Sequence, residues 1–290
     1  MSEIVYLNGR LVKIDEAGIE PTDQGFLFGA GLFETMRAYN GCIFLLGRHI
    51  KRLISSAHVL GIAEIDSAGL EEACRSVISA NRLASARVRL TVSRGTSNSF
   101  PPTSGPPTIL VQAQVYEPPA SEKYRTGYRA ALSAHPRYSR SMLVRHKTTN
   151  YLECLLARSG AVSQGNDEAL FINESGNLTE GSASNIFLID PDGKLITPPL
   201  DAGLLPGITR LLTLEMATKK WIEVIEKHIR QVDLRNFRVA FITSSLIEIM
   251  PLASINDPDG TKYSFDHRDL IHGLQEAYHE AVVRETGRHD

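Results

Sequence analysis

Cysteine is scarce, with 3 among 290 residues: Cys42, Cys74 and Cys154. Their number is odd and no Cys-x-x-Cys spacing occurs, which excludes a disulfide framework and a thiolate metal site. They read as buried thiols in a reducing compartment, with no metal expected. A surplus of one charge is also missing. Lys and Arg number 31 and Asp and Glu 33, for a net charge of −2, so nothing in the bulk electrostatics favours nucleic acid or an acidic membrane. No apolar run reaches the length of a membrane-spanning helix. Met1-Ser-Glu-Ile-Val-Tyr6 has neither the basic region nor the apolar core of a secretory signal, so the cytoplasm is the expected location. Internal repeats, low-complexity tracts, a nucleophilic Ser-His-Asp order, a dinucleotide glycine fingerprint and a Gly-x-x-x-x-Gly-Lys phosphate loop are all lacking.

What is present is ordinary globular composition, 42% hydrophobic and 22% charged, in a chain long enough for two domains. Asn8-Gly9 between Ile4–Tyr6 and Arg10–Ile14 predicts an opening hairpin, and Asn40-Gly41 between Thr35–Tyr39 and Cys42–Leu45 a second one. Ile50, Leu53, Ile54, Ala57 and Leu60 share a helical face that Gly61 ends, and Asp66 caps a further helix to about Leu83. Strands are expected over Arg87–Ser93 and Pro106–Val115. The double proline in Glu117-Pro-Pro-Ala-Ser-Glu122 makes a stiff linker. Beyond it come strands at Tyr128–Leu132, Ala169–Ile172, Asn185–Ile189, Trp221–Ile225, Val239–Thr243 and Glu248–Leu252. Helices are expected from Asn150 to about Val162, over Ile208–Ala217 and over Arg268–Glu285. The reading is an α+β protein with domains at 1–116 and 123–290 joined by 117–122.

Within Val144-Arg-His-Lys-Thr-Thr-Asn-Tyr-Leu-Glu153, Lys147 falls between a strand end and a helix start. Asn150 and Glu153 have capping-box spacing, and Leu152, Leu155 and Leu156 form an apolar stripe. A lysine so placed has a fixed stem and an amine available as a Schiff-base nucleophile, although a surface lysine fits the same pattern. Leu204-Pro-Gly-Ile-Thr-Arg210 opens a helix with unpaired N–H groups and a hydroxyl, which suits a phosphate or serves as a plain helix start. Thr243-Ser-Ser245 adds hydroxyls at a strand end. Glu180, among small residues in Leu178–Asn185, could hold a proton on a heteroaromatic nitrogen or be a solvated turn acid. Arg48 and Arg52 share a helix face that could meet an anion or water, and His49 lies between them. A lysine, a phosphate cup, an arginine and a ring-facing acid together fit pyridoxal 5'-phosphate.

The blocks Asp23-Gln-Gly-Phe-Leu-Phe-Gly-Ala-Gly-Leu-Phe-Glu-Thr35, His49-Ile-Lys-Arg-Leu53, His146-Lys-Thr-Thr-Asn-Tyr151, Leu178-Thr-Glu-Gly-Ser-Ala-Ser-Asn185, Leu204-Pro-Gly-Ile-Thr-Arg210 and Ser245-Leu-Ile-Glu-Ile-Met-Pro251 occur in an order that resembles fold-type IV pyridoxal-phosphate enzymes, the class IV aminotransferases. The resemblance spans nearly the whole chain. It implies a small N-terminal α/β domain, a larger C-terminal pseudo-barrel domain with the cofactor between them, and a homodimer. It further implies that Lys147 forms the internal aldimine and shuttles the proton, and that Glu180 pairs with the pyridine nitrogen. Arg52, Gly207, Ile208, Thr209 and Thr243 or Ser244 would hold the phosphate, and Tyr151 would reach the phenolic oxygen.

Branch features are mixed. Tyr151 follows the lysine by four residues, where branched-chain enzymes use five. Arg94-Gly-Thr-Ser97 resembles D-amino-acid aminotransferases, but Asn98-Ser-Phe-Pro101 replaces their arginine and histidine clamp. The Lys147-x-x-Asn-x-Leu-Glu pattern and Ile249-Met-Pro251 resemble aminodeoxychorismate lyase. Arg37, Arg89 and Arg94 are candidates for the substrate carboxylate. The expected function is transamination between a small or apolar amino acid and a 2-oxo acid. The alternatives are the lyase, releasing pyruvate and 4-aminobenzoate, and a non-catalytic cofactor- or phosphate-binding protein.

Overall fold

The computed structural model describes residues 3–103, 105–220, 222–266 and 271–287. The chain forms two compact units. One comprises Met1–Glu117, His146–Asn150 and the end of the chain from Val282; the other comprises Pro118–Arg145 and Tyr151–Ala281.

The first unit opens with β1 (Ile4–Leu7) and β2 (Arg10–Lys13), followed by the short α1 (Gln24–Phe28). Then come β3 (Gly31–Tyr39), β4 (Cys42–Ile43), α2 (Leu46–Val59), α3 (Ser67–Asn81), β5 (Ala86–Ser93) and β6 (Ile109–Val115). Asn8 and Gly9, like Asn40 and Gly41, all have positive φ, the conformation that a two-residue hairpin turn requires. The six strands form an antiparallel sheet in the order β2-β1-β6-β5-β3-β4. Alternation along β3 sends Leu32, Met36 and Ala38 into one core with Ile50, Leu53 and Ala57 of α2 and with Leu70, Cys74 and Val77 of α3. Asp66 caps α3 by accepting from the Ala68 and Gly69 N–H groups.

The second unit contains α4 (Ser121–Thr126), β7 (Tyr128–Leu132), α5 (Leu152–Ser163), β8 (Glu168–Ile172), β9 (Leu178–Gly181), β10 (Asn185–Ile189) and β11 (Leu195–Thr197). It continues with α6 (Ile208–Lys219), β12 (Val224–Glu226), β13 (Val239–Ser244), β14 (Glu248–Asn256), β15 (Lys262–Ser264) and α7 (His272–Thr286), whose last residues belong to the first unit. Its strands run β12-β11-β10-β13-β14-β7-β8-β9, and an additional β9–β10 pairing closes six of them into a barrel-like ring. Ile186, Leu188, Ala240, Ile242, Met250, Leu252 and Leu170 fill the interior.

Several expectations are corrected. The division is not linear, because 146–150 and the chain end return to the first unit. The Phe33 N–H donates to the Lys147 carbonyl at 2.8 Å, the Thr149 N–H to that of Gly31 at 2.9 Å, and the Leu45 N–H to Glu285 Oε1 at 2.8 Å. The first two bonds satisfy the edge of β3 that the short β4 leaves uncovered. The linker is not irregular to residue 122, since α4 begins at Ser121. The Asn150–Glu153 capping box does not form. Helix α5 starts at Leu152 with no side-chain cap, because the Asn150 amide instead donates to the Gly29 carbonyl at 2.8 Å. Gly29 has φ 66°, and a Cβ there would lie 2.5 Å from Asn150 Oδ1, so both the turn and this contact require glycine. Cys42 is exposed beside its hairpin turn, not buried. The expected strand at Trp221–Ile225 is β12, starting at Val224, and Trp221 and Arg268 lie outside the described residues. No helix among the described residues is long and apolar enough to cross a membrane.

Candidate active site

Lys147 sits in an extended segment bridged to β3 through Thr148 and Leu32. Its Nζ lies 4.4 Å from the centroid of the buried Phe33 ring. The Arg89 guanidinium lies over the same ring at 4.0 Å, as register dictates, because Phe33 pairs with Thr91 and Arg89 is two residues along β5 on the same face. Arg37 is buried, with its guanidinium 4.3 Å from the Tyr39 ring and 5.2 Å from that of Tyr116. Arg94 donates its backbone N–H to Ala30, and its buried Nε meets no hydrogen-bond partner among the described residues.

On the opposite face of β3, Glu34 stands at a core position between Leu32 and Met36 and is 1% exposed. Its carboxylate accepts from Arg52 Nε at 2.8 Å and Nη2 at 2.5 Å, and meets His49 Nδ1 at 2.7 Å. Burial pushes the Glu34 carboxyl up, but the Arg52 guanidinium and the His49 bond outweigh it and bring it from 4.5 to about 2. Burial pushes the His49 imidazole down, against the upward pull of Glu34. Both shifts have the same linkage sign, because the unfolded chain binds more protons than the native one. Stability should therefore start to fall below about pH 6.5 through His49. The Glu34 contribution is present above pH 4.5 and is lost as pH falls through about 2. Its size follows from the shift, about 3 kcal/mol. Urea unfolding at stepped pH should show Glu34→Gln destabilised by about this amount at neutral pH, with the gap to wild type closing towards pH 2.

In the second unit, Glu180 on β9 is 7% exposed. Its carboxylate takes a short bond from Arg137 Nη1, one from Asn185 Nδ2 at 3.2 Å and one from the Leu205 N–H at 3.1 Å. Several donors converging on one carboxylate favour its anion. Arg137 also donates to Cys154 Sγ at 3.0 Å. Burial pulls the Arg137 pKa down, but the Glu180 charge reverses this and the net shift is upward. The Tyr151 hydroxyl donates to the Ser182 carbonyl at 2.5 Å. Burial, with Cys154, Glu180 and Glu168 nearby, pushes its pKa up, which keeps it a donor.

Asn185 joins this acid to a helix start. It pairs with Glu180 across β9 and with Thr243 across β13, and its amide also donates to the Leu205 carbonyl at 2.9 Å. Gly207 is the cap residue of α6, which begins Ile208-Thr209. A Cβ at Gly207 would fall 1.9 Å from Asn185 Oδ1. Thr209 and Thr243 are buried, and Thr243 Oγ1 has no hydrogen-bond partner among the described residues. Ser244 Oγ accepts from the Ile247 N–H at 3.4 Å. Open backbone N–H groups at a helix N-terminus beside an orphaned hydroxyl suit a phosphate oxygen, and the Glu180 carboxylate suits a protonated ring nitrogen. Gly207→Ala should displace Asn185 and weaken the affinity for a phosphorylated cofactor by roughly 10-fold or more, measured by absorbance titration.

Lys147, Arg52, Arg37, Arg89 and Arg94 thus belong to the first unit, and Tyr151, Glu180, Gly207, Ile208, Thr209, Thr243 and Ser244 to the second. Sequence reasoning passed over Glu34, Arg137 and Asn185. Glu34 carries a readable signal: an acid at the centre of an apolar strand must be buried and hence paired. Arg137 has none, because its partner is 43 residues away.

Residues 31–255 match the family Amino-transferase class IV. The chain is 35% identical to a proposed branched-chain-amino-acid aminotransferase of Methanocaldococcus jannaschii over 87% of this chain and 88% of the other. It is 30% identical to the aminodeoxychorismate lyase of Bacillus subtilis and 32% identical to a D-alanine aminotransferase of Listeria monocytogenes, in both cases over 98% of this chain and 97% of the other. Among solved structures, the branched-chain aminotransferase of Thermoproteus uzoniensis with norvaline superposes with a TM-score of 0.89 at 29% identity, covering 98% of this chain and 96% of that one. A T.th. branched-chain amino acid aminotransferase with pyridoxamine 5'-phosphate gives 0.88 at 28% identity over 99% and 96%.

Proposed function

Because the chain belongs to the amino-transferase class IV family, whose fold-type IV architecture it has, we propose that it is a pyridoxal 5'-phosphate-dependent transaminase. Its substrates on this reading are a small or apolar amino acid and a 2-oxo acid. The observation that carries the cofactor assignment is the constellation around Asn185: a buried carboxylate with Arg137 behind it, an α6 start that tolerates no side chain at 207, and an orphaned Thr243 hydroxyl. When bound, this cofactor supplies an aldehyde that condenses with primary amines and a protonated ring that accepts the electron pair left when a Cα proton departs.

Each residue then has a task. Lys147 Nζ would be the amine that holds the cofactor and, once free, the base that takes and returns the substrate's Cα proton. Glu180 keeps the ring nitrogen protonated, and Arg137 keeps Glu180 anionic. The N–H groups at Ile208 and Thr209, the hydroxyls of Thr209, Thr243 and Ser244, and Arg52 hold the phosphate. Tyr151 would reach the phenolic oxygen by turning its one hydroxyl hydrogen away from the Ser182 carbonyl. Of the three arginines, Arg89 is the one assigned to the substrate carboxylate, because it shares the Phe33 ring with Lys147. Arg37 stacks on tyrosines of its own unit instead.

A cytoplasmic homodimer is part of the same proposal. Leu152, Leu155 and Leu156 on α5 are 67%, 56% and 64% exposed, and a second copy would cover them. The lyase is the second reading, favoured by the Bacillus subtilis relative at 30% identity over 98% of this chain. A coupled screen of L- and D-amino acids with 2-oxo acids tests the leading reading, with amino transfer as the expected result. Pyruvate release from aminodeoxychorismate without any oxo acid would replace it with the lyase.

A further inference from the structure

We propose that Glu34 is a positioning residue that fixes both the guanidinium plane of Arg52 and the ring tautomer of His49 beside the lysine segment. The inference rests on the reading above, in which Arg52 grips the cofactor phosphate.

Glu34 is the acid at a core position of β3, with Leu32 and Met36 on either side. Its two oxygens divide between two residues of α2. Oε1 takes Arg52 Nε, and Oε2 takes both Arg52 Nη2 and His49 Nδ1. Pairing through Nε and Nη2 is a two-point fork, so the guanidinium plane cannot rotate and the direction of Nη1 is set. An ionised carboxylate only accepts, so the hydrogen between Glu34 and His49 resides on Nδ1. Burial, with the Arg52 and Lys147 charges nearby, opposes a second proton on the ring, and this leaves His49 with its lone pair on Nε2.

The same helix anchors the lysine segment, because His146 Nδ1 meets Ser56 Oγ at 2.9 Å. One carboxylate thus balances Arg52 and orders His49 on the helix that also steadies residues 146–147. Glutamine at 34 could keep one bond to each neighbour but would leave the Arg52 guanidinium, 12% exposed, without its counter-charge and its two-point lock.

The test titrates wild type, Glu34→Gln and Glu34→Asp with pyridoxal 5'-phosphate and with pyridoxal, reading the visible absorbance. In Glu34→Gln, affinity for the phosphorylated form should fall roughly 10- to 100-fold while affinity for pyridoxal stays within about twofold, and Glu34→Asp should recover part of the loss. Equal weakening of both ligands, or no change in either, overturns the proposal and leaves the cofactor reading intact. A wild-type protein that takes up neither ligand overturns both. If the variants do not fold, nitrogen-15 spectra of the wild-type histidine rings decide. A His49 ring protonated on Nδ1 and bare on Nε2 supports the inference, whereas an imidazolium or the Nε2–H tautomer overturns it.

Discussion

Replacing Lys147 with alanine is expected to lower turnover by about 10,000-fold or more while leaving the fold intact. The side chain is half-buried and packs over Phe33. Losing that cation–π contact costs about 1 kcal/mol or less. The backbone carbonyl that receives the Phe33 N–H is untouched, so the segment stays on the edge of β3. The measurements are turnover, thermal unfolding and the visible band of the cofactor-loaded protein. Wild type should show a band that borohydride bleaches, with the reduced cofactor staying on the protein through denaturation, and the variant should show neither. Lys147→Arg should fail as completely as alanine, because a guanidinium keeps the charge and offers no nucleophilic nitrogen at neutral pH. A Lys147→Ala protein with near-wild-type turnover would remove the lysine from the mechanism.

Glu180→Ala should be costly in two ways. Arg137 is buried, and a guanidinium does not give up its proton inside a protein, so it cannot shed its charge. Removing its partner strands a cation, which costs about 3 to 5 kcal/mol in comparable buried pairs. The low end applies here, because Glu153 Oε2 lies 3.6 Å from Arg137 Nε. Loss of the acid at the ring nitrogen should lower turnover by roughly 100- to 1,000-fold, the scale of removing one preorganised electrostatic partner. A double-mutant cycle separates the two effects. Adding Arg137→Leu to Glu180→Leu should return much of the stability, because the unpaired charge is gone, and should return none of the activity. Recovery of activity in the double variant would assign Glu180 a structural role only.

The pairings also mark how far local sequence could be read. Hairpin turns at Asn8-Gly9 and Asn40-Gly41, the Asp66 cap, and the helical faces of α2 and α3 each depend on residues within a few positions, so they were legible in the sequence. The strands of the ring were legible as apolar runs. Their order was not, because it depends on which runs pair, and β9–β10 closure places Asn185 opposite Glu180 with no sequence-local sign of it. Asn150 has the spacing of a helix cap, yet its amide serves Gly29, 121 residues away. Propensity at Asn150 lost to a long-range backbone acceptor.

The sequence by itself determined the kinds of chemistry available: a lysine, an acid among small residues, a glycine-led helix start, hydroxyls and arginines, in an order that resembles one family. Tertiary structure decided which charges are compensated. It set Arg137 against Glu180, tied Asn185 to both the acid and Gly207, and buried Glu34 between Arg52 and His49. The reason is physical. Side-chain type is written residue by residue, whereas burial and the partner that makes a buried charge tolerable exist only once distant strands have paired.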